Sequence, residues 1–392
     1  MSSIVPRRRG RRPSSAVPSP PPLRISCQTS RRPDGWGQKC RRQAWPNLDD
    51  GDPEPWGRAG RPRQASIDVG GTRPGSSRPG VTVVIPTRDR WPLLSRALAS
   101  VFAQRVDLEV IVIDDGSTDG TQDRLASIVD ERLRVLRNSS AHGVARARNS
   151  GIASARGEWI AFLDDDDLWA PSKLSVQLEA AGEGAEFVYA AAVVIDGEGA
   201  VKRVSLAPDP ESLSVRLLES NAVGTPSSVL VRRDVLERIG GFDERLSVLA
   251  DWDLWLRLVQ SASVAAVSEA LIAYVEHTEN MTLNRLADIE AERRYMARKH
   301  RALCQASGVR FGGLDFSRWI VGQYRAHGLR LQAAREYARI GVRHGSLRDA
   351  ARAGGLVLGE RVMKLGPRQR PGEVVAPPDP PAWLEGALQA HV

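Results

Sequence analysis

Four short apolar runs, VTVVIP (81–86), LEVIVID (108–114), LRVLR (133–137) and EWIAFL (158–163), follow one another at short intervals, and the chain between them carries helical spacing. Behind Pro92, which suits a first helical turn, Leu93, Leu94, Ala97, Leu98, Val101 and Phe102 share one helix face. A shorter helix is predicted from Thr121, and another from about Val144 to Arg156. Strands that alternate with helices are joined by right-handed crossovers, so the pattern predicts an α/β fold on a mostly parallel sheet. Ligands in such sheets bind beyond the carboxyl ends of the strands, where the connecting loops gather. Three polar clusters stand at those ends: PTRDR (86–90), DDGSTDG (114–120) and DDDD (164–167).

The chain has 392 residues, enough for two or three folding units, one with a sizeable core. No stretch approaches the roughly 18 to 20 uninterrupted apolar residues of a membrane span, and the N-terminus lacks the apolar segment of a signal peptide. A soluble, cytoplasmic protein is the expectation, at most peripheral at the inner face of a membrane. Cys27, Cys40 and Cys304 form no CxxC pair and no even framework, which argues against a zinc site and an oxidising compartment.

The net charge of +8 would suggest nucleic acid if it were spread over the fold. Residues 1–80 instead hold 16 Lys or Arg against 6 Asp or Glu, so the remainder is slightly acidic. That Arg-, Pro- and Gly-rich segment offers too few apolar residues to offset its ordering entropy, and residues 1–79 are expected to be a disordered tail. No specific nucleic-acid partner is expected, although such a tail is also suited to an anionic surface.

Residues 80–282 are predicted to form one domain with two halves, 80–205 and 206–282. In the second half, the apolar run from Phe187 meets a hairpin-like DGEG turn, SSVLVRR reads as a strand, and DVLERIGGFD and DWDLWLRLV read as helices. Helical spacing at about 284–306, 316–345 and 347–364 predicts a helical C-terminal region over 283–365, followed by a Pro-rich tail over 366–392. The segment LRDAARAGGLVLGERVMKL is basic and amphipathic, fit either to pack on the main domain or to lie on a membrane.

The motifs VTVVIPTRDR, VIDDGSTDGT, GVARARNSGI with GEWIAFLDDDDLW, and GGFDERL with DWDLWLRL occur in an order and spacing that resembles family 2 glycosyltransferases of the GT-A fold. The resemblance covers about residues 81–280. It implies a metal-dependent, inverting enzyme that moves a sugar from a nucleotide-sugar to a hydroxyl acceptor, such as a glycan, a lipid-linked sugar or a small molecule. The GT-A architecture it implies is Rossmann-like, with a helical C-terminal extension.

On their own chemistry, a carboxylate at a strand end can accept from a base imide N–H, and the Gly-Ser-Thr turn lets a flat ring approach. The resemblance assigns that role to Asp115, with Pro86, Thr87 and Arg88 lining the other side. Arg88 stands where the family often has tyrosine, and Ser117, Thr118 or Asp119 could equally cap the following helix. Arg148 and Asn149 lie near a helix start that favours anionic or polyhydroxyl ligands, and either could instead bridge to the aspartates.

Carboxylates about 4 Å apart repel by about 4 kcal/mol at an effective dielectric near 20, so Asp164–Asp167 call for a compensating cation. Oxygen ligands suit Mg²⁺ or Mn²⁺, which can also bridge a diphosphate. The family's DxD motif maps onto Asp164, Asp165 and Asp166, with Asp164 near the ribose and Asp166 on the metal, while Asp167 braces the turn. His277, after the last strand-like run, is a second candidate ligand, because neutral imidazole accepts Mn²⁺.

Transfer to a hydroxyl needs a general base. The resemblance places it at Asp251, where LADWDLWLRL keeps the aspartate but has Ala250 in place of the family's usual glutamate. Asp251 could also serve only as a helix N-terminal charge, and Asp253 is its competitor. Trp169, Trp252 and Trp255 offer either core packing or a surface for a sugar ring.

A nicotinamide dehydrogenase is disfavoured because PTRDR stands where its Gly-rich turn would be, and GGTRPG (70–75) precedes the first strand, away from where a pyrophosphorylase loop would lie. A non-catalytic sugar-nucleotide-binding relative and a surface binder acting through the Arg-rich tail are the remaining alternatives.

Overall fold

The apolar runs of the first half are strands in the computed structural model, which describes residues 66–67, 79–182, 184–276, 286–358 and 379–392. The strands are β1 (Ser66–Ile67), β2 (Val81–Thr87), β3 (Leu108–Asp114), β4 (Leu133–Arg137), β5 (Trp159–Phe162), β6 (Leu168–Trp169), β7 (Phe187–Asp196), β8 (Val201–Ser205), β9 (Val229–Arg232) and β10 (Val264–Glu276). They form one sheet in the order β1-β4-β3-β2-β5-β9-β7-β10-β6, with β8 paired to β7. Every residue of β2 and β3 is buried, as strands covered by helices on both faces require.

The sheet changes character across its width. β4, β3, β2 and β5 are mutually parallel, but β9 runs antiparallel between β5 and β7, and β6 is antiparallel to β10. The expected parallel sheet therefore holds for the first half, and the second half is mixed. The physical reason lies in the connections: the DGEG turn after β7 folds β8 back as a hairpin, and only a crossover of a dozen residues or more can return a strand parallel to its neighbour.

Helices α1 (Trp91–Phe102), α2 (Thr121–Ser127), α3 (Val144–Ser154), α4 (Lys173–Ala181), α5 (Pro210–Glu219), α6 (Arg233–Ile239) and α7 (Ala250–Ser261) accompany the sheet. Helix α1 buries Leu94, Ala97, Leu98 and Val101, the stripe read from the sequence. Burial of each such aliphatic side chain contributes about 1.5–3 kcal/mol.

The C-terminal region comprises α8 (Leu286–Lys299), α9 (Arg301–Ser307), α10 (Leu314–Ala326), α11 (Arg330–His344) and α12 (Leu347–Leu358). Ile289, Met296, Leu303, Phe311, Phe316 and Ile320 join the same apolar cluster as Trp252 and Leu254, so these helices complete the core beside α7. The helix expected over 316–345 is two helices, because Gly328 adopts φ +70°, a left-handed conformation that ends α10.

At both ends the described residues include short paired or packed pieces. Ser66 and Ile67, inside the segment expected to be a disordered tail, pair antiparallel with β4. The 366–392 segment is not simply a tail: α13 (Ala382–Gln389) buries Leu384, and its Trp383 Nε1 donates to the carbonyl of Ala270 at 3.2 Å. β1 thus extends the sheet beyond β4, and α13 packs against side chains of β6, β7 and β10.

Candidate active site

β2, β3 and β5 are parallel, so their carboxyl ends lie side by side and carry PTRDR, DDGSTDG and DDDD into one cleft. Thr87 Oγ1 donates to Asp165 Oδ2 at 2.7 Å, and Arg90 Nη1 lies 3.3 Å from Asp165 Oδ1 and 3.0 Å from Asp166 Oδ2. The first loop is thus locked to the aspartate run. Arg88 is exposed at the rim and pairs with Asp89 at 3.4 Å, while Pro86 stays within the buried strand. Asp89 adopts φ +54° and accepts from the amide of Thr118, joining the first loop to the second.

Asp115 is buried, and its carboxylate faces the loop before α3. Asn138 Nδ2 donates to it at 2.8 Å, the amide of His142 at 2.9 and 3.0 Å, and the amide of Gly143 at 2.8 Å. Gly116 (φ +84°) makes this approach feasible, since a Cβ there would lie 3.0 Å from the Ser140 backbone.

The four aspartates separate by environment. Asp164 is ion-paired with Arg148 Nη2, its amide donates to Ser227 Oγ at 3.0 Å, and Thr225 Oγ1 lies 3.4 Å from its Oδ2. Asp165 is buried, and burial together with the charge of Asp166 pushes its pKa up to about 7 against the pull of Arg90. Asp166 faces Arg90 and is more open than Asp165. Asp167 is fully buried; it accepts from Ser227 Oγ at 2.6 Å, Thr225 Oγ1 at 3.0 Å and the amide of Val275 at 3.2 Å. Burial pushes its pKa well up, and its three hydrogen bonds tie the turn to the 225–227 segment and to β10.

Arg148 is buried on α3, with its guanidinium 5.3 Å from the centre of the Phe242 ring, and it bridges α3 to Asp164. Asn149 points elsewhere. Its Nδ2 donates to the Phe242 carbonyl and to Glu244 Oε1, both at 3.0 Å, and its Oδ1 accepts from the Phe242 amide at 2.8 Å. Both ends of the amide are used within the protein, so Asn149 pins the GGFDE loop rather than lining the cleft.

Asp251 lies in the first turn of α7, in a crowded recess that leaves part of its surface open to solvent. Its Oδ1 accepts from the Trp252 amide at 2.6 Å and its Oδ2 from Asn221 Nδ2 at 3.0 Å. Burial raises its pKa to about 7; the positive charge of Arg148 opposes the rise and the negative charge of Asp164 adds to it. Asp253 is fully buried on the other side of α7, where it meets Arg257, Lys299 and His300, each at 2.8 Å. Burial would raise its pKa, but these partners outweigh it and hold it at about 2. Asp253 is therefore a structural anion and not a competing base.

Trp169, Trp252 and Trp255 are all fully buried. Trp252 stacks on Phe311 at 4.6 Å and Trp255 on Phe187 at 5.7 Å, so all three are core residues and none offers a ring face to a sugar. His277 lies outside the described residues, as do residues 1–65 and 68–78 of the Arg-rich tail.

Among the described residues, no three His, Cys, Asp or Glu side chains converge to hold a metal ion unaided. Asp166 offers one hard oxygen donor beside Asp164 and Asp165, and Mg²⁺-type sites commonly take one or two carboxylates with substrate phosphates completing the shell. The donor set fits a site that the substrate completes.

Sequence reasoning missed Asn221, Thr225 and Ser227. They precede β9, which is antiparallel to β5, so its amino end lies beside the carboxyl end of β5 and the aspartate run. The polar stretch NAVGTPSS was the available signal, but a rule that looks beyond the carboxyl ends of strands passes over it.

A family model described as Glycosyl transferase family 2 matches residues 82–240, and one described as Glycosyltransferase like family 2 matches residues 213–307. The succinoglycan biosynthesis protein ExoO of Rhizobium meliloti is 31% identical over 225 residues, covering 54% of this chain and 64% of ExoO. The putative colanic acid biosynthesis glycosyl transferase WcaA of Escherichia coli is 32% identical over 212 residues, covering 52% of this chain and 75% of WcaA. WfgD of Escherichia coli, named as a UDP-Glc:alpha-D-GlcNAc-diphosphoundecaprenol beta-1,3-glucosyltransferase, is 28% identical over 190 residues, covering 48% of this chain and 73% of WfgD.

Proposed function

Because this chain belongs to glycosyltransferase family 2, with the family's GT-A architecture, we propose that it transfers a sugar, with inversion, from a nucleotide-sugar to a hydroxyl acceptor in glycan or polysaccharide synthesis. The observation that carries the reading is Asp251: a carboxyl in the first turn of α7, held by Asn221 Nδ2 and the Trp252 amide, with a pKa near neutrality. A general base works best when its pKa lies near the operating pH.

In this reading Asp251 takes the proton from the acceptor hydroxyl as its oxygen bonds to the anomeric carbon. The bond from that carbon to the diphosphate breaks on the opposite face, and the nucleoside diphosphate leaves with the electron pair. No covalent enzyme intermediate is needed. Asp166, and His277 by family likeness, would hold a divalent cation, Mn²⁺ or Mg²⁺, which when bound would neutralise charge on the leaving diphosphate. Asp164, Asp165, Thr87 and Arg88 line the donor side, with Pro86 buried in the strand beneath them, Arg148 placing Asp164 and Asp115 shaping the base wall. Fixed carboxylates and guanidinium groups of this kind need no reorganisation at the moment of reaction.

UDP-sugars are the first candidates for the donor, and WfgD's name, which pairs UDP-glucose with a lipid-diphosphate acceptor, supports both that choice and a lipid-linked acceptor. No helix among the described residues is long and apolar enough to cross a membrane. We place a peripheral contact on the outer face of α11 and α12, where Leu331, Val342 and Leu347 are exposed beside Arg335, Arg339 and Arg348.

Calorimetric titration of a panel of nucleotide-sugars with and without Mn²⁺ tests the reading. At least one is expected to bind in a metal-dependent way, and Asp166→Ala is expected to remove that dependence. Absence of any metal-dependent binding, or an Asp166→Ala protein that binds as the wild type does, rejects it.

A further inference from the structure

Helix α7 begins at Ala250 with Leu249 at its cap position and no side-chain cap of its own, although its first turn carries Asp251. A carboxylate reaches that position from far along the chain. Glu292, buried in the middle of α8, accepts from the Ser247 amide at 2.8 Å, from Ser247 Oγ at 2.7 Å, from the Val248 amide at 3.0 Å and from the Leu249 amide at 2.8 Å. Three successive amides wrapped around one anion form a nest, and such charge-assisted bonds are about twice as strong as neutral ones.

The end of α8 grips the same turn from behind. Lys299 Nζ and His300 Nε2 both lie 2.8 Å from Asp253 Oδ1, two residues beyond Asp251. Lys299 and Tyr295 also hold Asp243, at 2.8 and 2.7 Å, in the loop that leads into α7. The segment bearing Asp251 is thus fixed ahead by Glu292 and behind by the Asp253 contacts, all from one helix face and the residue after it.

We infer that Glu292 is a positioning residue for the general base: its carboxylate fixes the 247–249 backbone, and through it the place and direction of the Asp251 carboxylate toward the acceptor. The inference rests on the reading of Asp251 as the base. Ala250 brings no carboxylate to this turn, and its own side chain is buried in the apolar cluster, so the anion at the entry to α7 comes from α8. Glu292 itself touches no reacting group; it acts through the backbone, and a shift of about 1 Å at a reacting group can cost about 100-fold in rate.

The test compares Glu292→Ala, Glu292→Gln and Asp251→Asn in the full chain. The rate assay uses whichever UDP-, dTDP- or GDP-sugar the wild type hydrolyses fastest, and the binding assay uses UDP with Mn²⁺. Glu292→Ala is expected to lower kcat by about 10- to 100-fold while the donor KM and the affinity for UDP stay within about threefold. Glu292→Gln, which keeps one carbonyl acceptor, is expected to fall between Glu292→Ala and the wild type and serves as the readout if the alanine variant does not fold. Amide exchange should quicken at 247–252 in both. A merely structural role would lower the melting temperature without this split between kcat and KM. If Asp251→Asn abolishes turnover while both Glu292 variants keep kcat within threefold, or lose kcat and UDP affinity together, the inference fails and the reading of Asp251 stands. If Asp251→Asn turns over like the wild type, or the wild type hydrolyses no donor, the reading of the base fails and the inference falls with it.

Discussion

Asp251 owes its pKa of about 7 first to burial, and that has consequences for both rate and stability. Only the ionised carboxylate can accept the acceptor's proton, so kcat/KM should rise as pH climbs through about 7 and level off above it. Asp251→Asn keeps the shape of the side chain and removes the base, and its rate is expected to fall by about 10²- to 10⁴-fold, measured as nucleotide release. For stability the sign runs the other way. In the unfolded chain an aspartate titrates near 4, so between about pH 4 and 7 the folded protein keeps a proton that the unfolded chain has lost. That stabilisation is complete below about pH 4 and is lost as pH rises through 7. The melting temperature of the wild type should therefore decline from pH 5 to pH 8, and that of Asp251→Asn should decline less. Some slope remains in the variant, because Asp165 is raised to about 7 as well. Equal slopes in the two proteins would show that Asp251 does not titrate there.

The segment 225–228, a single 3-10 turn at Pro226–Ser228, decides how the aspartate run is held. Ser227 Oγ donates to Asp167 and accepts from the Asp164 amide, so one hydroxyl links a buried carboxyl to a cleft-facing one. Asp167→Ala leaves the Ser227 and Thr225 hydroxyls and the Val275 amide without this acceptor, and is expected to cost about 1–3 kcal/mol for an unsatisfied buried group, read by urea denaturation. A cost below about 0.5 kcal/mol would mean that water replaces the carboxylate and that the turn is not braced by it. This turn also marks where the sequence stops being legible. The strand-and-helix alternation revealed the parallel half and the clustering of PTRDR, DDGSTDG and DDDD, because buried parallel strands are written as continuous apolar runs with polar ends. The antiparallel insertion of β9 leaves no such mark, and so Asn221, Thr225 and Ser227 were missed. Likewise Asn149 and Trp252 carry residue types suited to ligands, and only packing reveals that Phe242 and Phe311 claim them. Glu292 is harder still: nothing in its local sequence indicates amides some 45 residues earlier.

The charge of the whole molecule is unevenly used. The positive excess sits in the first 80 residues, yet the C-terminal helices add a second cationic surface with a different character. On α11 and α12 the carboxylates Glu336 and Asp349 are buried, whereas Arg335, Arg339 and Arg348 are exposed next to Val342 and Leu347, which are 89% and 87% exposed. The outer face therefore joins guanidinium groups and aliphatic side chains and shows no exposed acid among these residues, a combination that complements an anionic bilayer better than an acidic protein surface. Each arginine near such a surface is worth about 1 kcal/mol, and the aliphatic pair adds burial that salt does not screen. Cosedimentation with vesicles separates these contributions from those of the Arg-rich N-terminal segment. The full chain should bind vesicles rich in phosphatidylglycerol and ignore pure phosphatidylcholine. Val342→Asp with Leu347→Asp, both fully at the surface and remote from Asp251 in the chain, should weaken binding by about tenfold or more while leaving donor hydrolysis unchanged. The N-terminal arginines are identical in both proteins and contribute a term that high salt removes from each alike. At about 0.5 M salt the wild type should thus keep a residual affinity that the double variant lacks, because the Debye length there is only a few ångströms while aliphatic insertion persists. If the two proteins bind equally at low salt, the N-terminal segment alone accounts for the attraction and the helical face does not touch the bilayer.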